Sequence, residues 1–299
     1  MGERINYQQC PCCGSTAIQS VLAAKDYTVT NEMFEIWHCN NCALRFTQAI
    51  PTVDEIGAYY QSNSYVSHSD SKEGLINKLY HLVRNYTLKD KLKLVQTVTG
   101  LPTGTLLDVG AGTGYFSQKM TNNGWAVTSL EPDMTARKVA MDKYNLLLED
   151  TSNLYYLEAN QFDAIAMWHV LEHVHDLQGY LTKFHEILKP TGRLVIAVPN
   201  YTSYDAEHYA KHWAAYDVPR HLYHFSPQSI DVLAKLKGFT VKVYKPMWFD
   251  SFYVSMLSEQ YKNGKGNLLA AVWSGLISNL KTLGNNKRCS SVIYVLAKQ

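Results

Sequence analysis

Three glycines placed two apart, Gly110, Gly112 and Gly114, follow directly on the apolar run 106–109, and no other stretch restricts the chain as much. A short apolar run that stops at glycines reads as a buried strand feeding a tight turn, and a helix can begin at Tyr115 and Phe116. With no side chains on the turn, its backbone N–H groups can approach a ligand near the positive end of that helix. The spacing predicts a cofactor cradle over 105–116, built as the first unit of an α/β fold.

The same residues select the ligand. A dinucleotide fingerprint is G-x-G-x-x-G, whereas here Tyr115 follows Gly114 and the third glycine arrives one place early. Asp108 would oppose a pyrophosphate, yet it suits a cationic amino group. A second strand, expected over 125–130, ends in Glu131, about 20 residues beyond the turn, where a carboxylate can accept both hydroxyls of a ribose. A ribose beside an ammonium group describes S-adenosylmethionine. The alternative is a nicotinamide-dependent oxidoreductase on a similar fold, which Asp108 and the glycine spacing oppose.

Beyond the cradle, apolar periodicity predicts helices over 74–98, 135–144, 177–188 and 231–237, and strands over 146–148, 162–168, 193–198, 239–244 and 291–297, with 189–192 as a turn. Alternating strands and helices imply a parallel sheet covered on both faces. The motif Asp-Val-Gly-Ala-Gly-Thr-Gly at 108–114, the later Glu131, the 162–165 strand running into Val170-Leu171-Glu172-His173-Val174, and Leu188-Lys189-Pro190-Thr191-Gly192 resemble the ordered motifs of class I S-adenosylmethionine-dependent methyltransferases over roughly 75–299. The segment 217–226 is similar to that of a bacterial branch that often carries an N-terminal zinc-ribbon-like module.

This resemblance implies a Rossmann-like fold with a seven-stranded, mostly parallel sheet whose last strand is antiparallel. It implies that Asp108 and the backbone of Gly110, Ala111, Gly112 and Gly114 hold the methionine part of the cofactor and that Glu131 holds the ribose. Pro132 and Met134 would flank the adenine, with Asp150 reaching its amino group or capping a helix instead. Tyr115, Phe116 and Trp168 would complete the lining. One stretch departs from the pattern: residues 247–288 intervene between the last two strands, as a substrate lid, a dimer surface or a place of peripheral lipid contact.

Five of the six cysteines fall in the first 42 residues. Cys10-Pro11-Cys12-Cys13-Gly14 and Cys39-Asn40-Asn41-Cys42 make two C-x-x-C pairs, and Cys10, Cys13, Cys39 and Cys42 are expected to close a structural, four-thiolate Zn²⁺ site. Cys12 and His38 are then bystanders; a redox dithiol is the competing reading of one pair alone. Short strands are expected over 27–29 and 33–37. The chain thus divides into a ribbon-like module (1–48), an aromatic linker or flap (49–74) and the methyltransferase-like domain (75–299).

Methyl transfer is an in-line displacement in which alignment can supply about 7–11 kcal/mol, and a base adds about 10²- to 10⁴-fold for an oxygen nucleophile. Eight of the eleven histidines lie between 169 and 224. His169, Glu172 and His173 follow the 162–168 strand, whose carboxyl end opens beside the methyl group in this topology. Three readings follow. His169 or His173 is a neutral base while Arg220, His221 and Tyr223 orient the acceptor; or His169, Glu172, His173 and His221 or His224 bind a catalytic divalent metal; or Glu172 and His173 only pack. The 217–225 loop should end at Ser226, an N-cap followed by Pro227.

A formal net charge of +2 argues against a nucleic-acid binder that uses the ribbon as its reader. A small hydroxylated or sugar-like acceptor is expected. The amino terminus lacks a signal-peptide pattern and no stretch has a membrane span's 18 apolar residues, so the expectation is cytoplasmic, with the oligomeric state open.

Overall fold

In a computed structural model, residues 3–61 and 75–299 are described, with side chains from 83 onward in the helix that begins at Leu75. The 62–74 part of the expected flap lies outside the described residues. Five strands fill the amino-terminal region: β1 (Arg4–Ile5), β2 (Ile18–Lys25), β3 (Met33–Cys39), β4 (Arg45–Thr47) and β5 (Ile50–Pro51). The strand expected over 27–29 is instead the β2–β3 turn. There the Asp26 carboxylate accepts the amides of Thr28, Val29 and Thr30 at 2.8–3.2 Å, which bends the backbone out of the ladder.

The rest of the chain alternates. It runs α1 (Leu75–Thr99), β6 (Thr105–Val109), α2 (Tyr115–Thr121), β7 (Ala126–Leu130), α3 (Met134–Tyr144), β8 (Phe162–Trp168), α4 (Leu177–Ile187), β9 (Leu188–Pro199), α5 (Tyr204–Tyr209), β10 (Tyr223–His224), α6 (Pro227–Leu236), β11 (Phe239–Pro246), α7 (Asp250–Asn263), α8 (Leu268–Leu283) and β12 (Ser291–Lys298). The central sheet has the order β7-β6-β8-β9-β12-β11. Strands β7, β6, β8 and β9 pair in parallel, and β12 is antiparallel to both its neighbours. Leu106, Leu107, Val109, Ile165, Met167 and Val195 are fully buried, as expected where helices cover both faces.

Two expectations about this sheet are corrected. Among the described residues it has six strands, not seven: 146–148 forms no ladder, and only Glu149 just beyond it makes an isolated bridge, to Leu130. That segment is pinched between Asn145, the left-handed cap of α3, and Asp150, the cap of the next 3₁₀ turn, so no ladder can extend. The 189–192 turn is looped out inside β9, since Phe162 pairs with Leu188 and Ala164 already with Arg193.

Helix α6 starts where the sequence places its cap. Ser226 and Ser229 form a reciprocal capping box, with Pro227 in the first turn. Just before it, β10 leaves the central unit and pairs with β4, giving a second sheet of order β10-β4-β3-β2. Strands β11 and β12 still pair from Phe239–Lys298 to Pro246–Val292, and the intervening residues fold as the α7–α8 hairpin. Among the described residues, no helix is long and apolar enough to cross a membrane.

Candidate active site

The turn after β6 places all three glycines at positive φ: 71° at Gly110, 55° at Gly112 and 81° at Gly114. Their surroundings differ. A Cβ on Gly110 would overlap the Val170 side chain, and one on Gly114 would press on Ala140 at 3.2 Å, whereas one on Gly112 would meet nothing within 4 Å. Gly110 and Gly114 therefore allow close packing, and Gly112 floors an open cradle.

Four of the turn's amides are bonded within the protein and do not point at a ligand. Gly110 and Ala111 donate to the Leu130 carbonyl at 2.8 and 3.0 Å, Gly112 to Glu131 Oε2 at 2.7 Å, and Gly114 to the Ala111 carbonyl at 3.0 Å. These bonds tie the turn to β7. What remains is rich in acceptors, a setting for a cation rather than a phosphate.

Asp108 is buried at the end of β6, accepting from Ser117 Oγ at 2.6 Å, which in turn accepts from Ser129 Oγ at 2.9 Å. Burial pushes its carboxyl up to about 6, against the pull of Ser117 and Lys91. Glu131 takes the amides of Gly112 and Asp133, one on each oxygen; a carboxylate has about four acceptor positions, so two remain for hydroxyls. Pro132 and Met134 are exposed at the rim. Asp150 follows the capping alternative, accepting from the Ser152 amide at 3.0 Å while ion-paired to Arg137 at 2.6 Å. Phe116 meets Trp168 edge-on at 5.4 Å, and the Tyr115 hydroxyl accepts from Lys143 at 3.0 Å.

Two charged groups here escaped the sequence reading. Lys91, on the α1 stripe of Leu88, Leu92 and Val95, holds its ammonium 4.2 Å from the Trp168 ring centroid. Burial pushes its amine down to about 8 despite Asp108 and Asp250. A lysine on an otherwise apolar helix stripe was the available signal. Asp250, at the start of α7, came from the departing segment and gave none.

At the end of β8, His169 has φ of 59° and places its ring between two carboxylates, Nδ1 3.4 Å from Glu172 Oε1 and Nε2 3.0 Å from Asp250 Oδ2. Burial alone would depress it, but Asp250 and Glu172 raise it to about 10. His169 is thus an imidazolium at neutral pH, and its expected role as a neutral base is corrected. His173 Nδ1 lies 3.0 Å from both the Arg220 carbonyl and the Tyr60 hydroxyl. A carbonyl only accepts, so Nδ1 carries the proton and Nε2 a lone pair; burial, then the nearby His221, hold it neutral by lowering it to about 4. His221 Nδ1 is likewise 2.8 Å from the Ala215 carbonyl, and the two rings meet edge to face at 4.5 Å. Between them Glu172 is wholly buried, and besides the 3.4 Å pair with His169 neither of its oxygens has a hydrogen-bond partner among the described residues. The ligand atoms of Glu172, His173 and His221 lie within 4.8 Å of one another.

The side chains of Arg220, Tyr223 and His224 do not join this cluster, which corrects the expected acceptor contacts of the first two and the expected metal ligation by the third. The Arg220 guanidinium is buried, bonded to Asp217, to Asp26 at 3.1 Å, to Thr28 Oγ1 at 2.9 Å and to the Tyr59 carbonyl at 2.8 Å. The Tyr223 hydroxyl donates to the His175 carbonyl at 3.2 Å, and His224 Nε2 lies 3.1 Å from Thr47 Oγ1. At the other end, the sulfurs of Cys10, Cys13, Cys39 and Cys42 are unbridged thiols within 4.8 Å of one another; Cys12 points instead to the Ser229 carbonyl. An open groove of about 870 Å³ on the amino-terminal sheet, lined by Arg4, Tyr7, Phe34 and Trp37, lies away from the cradle.

A sequence family described as "Methyltransferase domain" matches residues 80–242, just over half of the chain. The chain is 33% identical over 101 residues to a ubiquinone biosynthesis O-methyltransferase of Rhodopseudomonas palustris, covering 32% of this chain and 40% of that protein. It is 34% identical over 95 residues to a demethylmenaquinone methyltransferase of Tropheryma whipplei, covering 30% and 40%. It therefore spans about two fifths of the length of these curated relatives. A crystal structure of a putative sarcosine dimethylglycine methyltransferase from Galdieria sulphuraria shares the fold with a TM-score of 0.50 at 16% identity, over 74% of this chain and 87% of the other.

Proposed function

The chain belongs to the methyltransferase-domain family, and from that premise we propose that it moves a methyl group from S-adenosylmethionine to a small hydroxylated acceptor. The observation that carries the reading is the cradle in which four glycine-turn amides are internally bonded and two carboxylates, Asp108 and Glu131, remain to receive an ammonium group and two ribose hydroxyls. Lys91 offers a cation to the cofactor's carboxylate. The relatives, named for ubiquinone biosynthesis and for demethylmenaquinone, support a small-molecule acceptor. In titration calorimetry S-adenosylmethionine should bind and NAD⁺ should not; the reverse overturns the reading.

The cradle also sets a pH dependence. Asp108 is protonated below about 6, and only its ionised form attracts an ammonium group. Cofactor affinity should be highest near pH 7, decline above it as Lys91 loses its charge near 8, and fall by about tenfold at pH 5, one unit below the carboxyl's value. Asp108→Asn should bind weakly at every pH, with that slope removed.

S-adenosylmethionine, when bound, supplies an electrophilic methyl group. His221 Nε2 takes the acceptor's proton, its ring held by the Ala215 carbonyl. The ionised Glu172, and Asp217 at 4.0 Å, stabilise the imidazolium that results. The neutral His173 packs against it, and the His169–Asp250 pair closes the wall. A second reading rests on the same three side chains: two histidines that donate Nδ1–H to carbonyls, beside a buried carboxylate whose close donor is His169 at 3.4 Å, make a two-histidine, one-carboxylate divalent-metal set. Full activity after exhaustive chelation sinks the metal; loss restored by Mg²⁺ or Mn²⁺ sinks the metal-free base.

The four clustered thiols fit a structural, tetrahedral Zn²⁺ site with no open position. Purified protein should contain close to one zinc per chain by atomic absorption, and a content near zero refutes the site.

A further inference from the structure

Helices α7 and α8 meet through small residues, and α8 is built inside out. Where they pack on each other and on α5, their buried faces carry small or hydroxylated residues: Ser255 and Ser258 on α7, and Ser274, Gly275, Ser278 and Thr282 on α8. Ser278 donates to Asp205 at 2.7 Å, and a Cβ on Gly275 would come within 2.6 Å of Phe252. The opposite face of α8 bears Leu269, Val272, Trp273, Leu276, Leu280 and Leu283, spaced by threes and fours, with Leu269 84% and Trp273 66% exposed. Helices in water bury their large apolar side chains. Small residues inside and large ones outside is the arrangement of helices whose surroundings are hydrocarbon.

Charge on the segment selects a surface. Asp250 and Glu259 are the only acids in 247–288, and neither faces outward: Asp250 contacts His169, and Glu259 is buried under the Tyr209 hydroxyl. Lys287 and Arg288 are paired with Asp231 and Glu207, which leaves Lys262, Lys265 and Lys281 as the exposed lysines of the segment, Lys262 with its ammonium 5.9 Å from the Tyr209 ring. An exposed apolar helix face on a segment whose outward charges are all basic matches the boundary of a bilayer whose headgroups are negative. At 16 residues, α8 is about 24 Å long, short of the roughly 30 Å hydrocarbon core.

We propose that the outer face of α8 docks on an anionic phospholipid bilayer, lying along its surface. Through Trp248 and Phe249, both part exposed, the docked segment continues into Asp250, which joins the lipid-facing surface to His169. The full chain should sediment with vesicles of equal phosphatidylglycerol and phosphatidylcholine at least tenfold more than with phosphatidylcholine alone. A combined Leu269→Glu, Trp273→Glu and Leu280→Glu variant should lose at least tenfold of that binding while its thermal unfolding and its titration with S-adenosylmethionine stay unchanged. Lys262→Gln, Lys265→Gln and Lys281→Gln together should weaken it on anionic vesicles only. No sedimentation with either vesicle, or sedimentation indifferent to both variants, overturns the proposal. So does a dimer in solution that the glutamates split without any vesicle binding, which would assign the face to a second copy of the chain.

Discussion

An Arg220→Met variant is expected to lose about 3–5 kcal/mol of folding stability, a drop of roughly 10²- to 10⁴-fold in the folding equilibrium, read as a lower urea midpoint. Arg220 is buried and bridges two regions: its guanidinium binds Asp217 on its own loop and Asp26, Thr28 and the Tyr59 carbonyl of the amino-terminal region. Met fills a similar volume but leaves two acids without their cation, and this loss, more than the pair's own attraction, sets the magnitude. Both carboxyls lie below their ordinary value of 3.8 even though burial raises them. The amides of Thr30 and Thr28, then Arg220, outweigh burial at Asp26, and Arg220 does so at Asp217. Carboxyls with depressed folded values stabilise fully above pH 3.8, and this is lost as pH falls through the folded values. The gap between wild type and variant should therefore be widest near neutrality and narrow below about pH 3.8. Arg220→Lys keeps the charge but not the planar fork, and should fall between the two. Equal midpoints for all three proteins at pH 7 would mean that the arginine does not join the regions energetically.

That Arg220 acts as a strut and not as an acceptor ligand illustrates what the sequence could and could not disclose. Features written in local spacing were legible: the cradle strand and its glycines, Glu131 at the end of the next strand, the 162–168 strand that delivers His169, the two cysteine pairs and the Ser226 cap. Each depends on residues a few positions apart. What failed depends on partners far along the chain. Whether a turn amide is free is decided by β7, which accepts two of them at Leu130. His169 reads as a neutral base until Asp250, 81 positions later, meets its second nitrogen. Lys91 looked like one more surface lysine on an amphipathic helix, and only packing puts it beside Trp168. The 146–148 strand failed for a local reason of another kind: both of its ends are caps, which a hydrophobic pattern does not register.

His221→Ala should lower turnover by about 10²- to 10⁴-fold, the range for loss of a positioned base, while leaving the dissociation constant for S-adenosylmethionine within about twofold. The asymmetry follows from placement. His221 belongs to the loop ahead of β10 and contacts His173 and the Ala215 carbonyl, whereas the ammonium and ribose positions are served by Asp108 and Glu131 on β6 and β7. Glu172→Gln gives the companion measurement. An amide of the same shape keeps the packing but cannot stabilise a cation on His221, so turnover should fall with binding again preserved. It also removes one partner of His169, whose elevated value rests on Asp250 first and Glu172 second. If His221→Ala weakens cofactor binding and leaves the saturated rate intact, the histidine belongs to the donor half of the reaction and the base must be sought elsewhere. If both variants retain full turnover and binding, the buried carboxylate between two histidines is packing, and acceptor activation does not pass through this cluster.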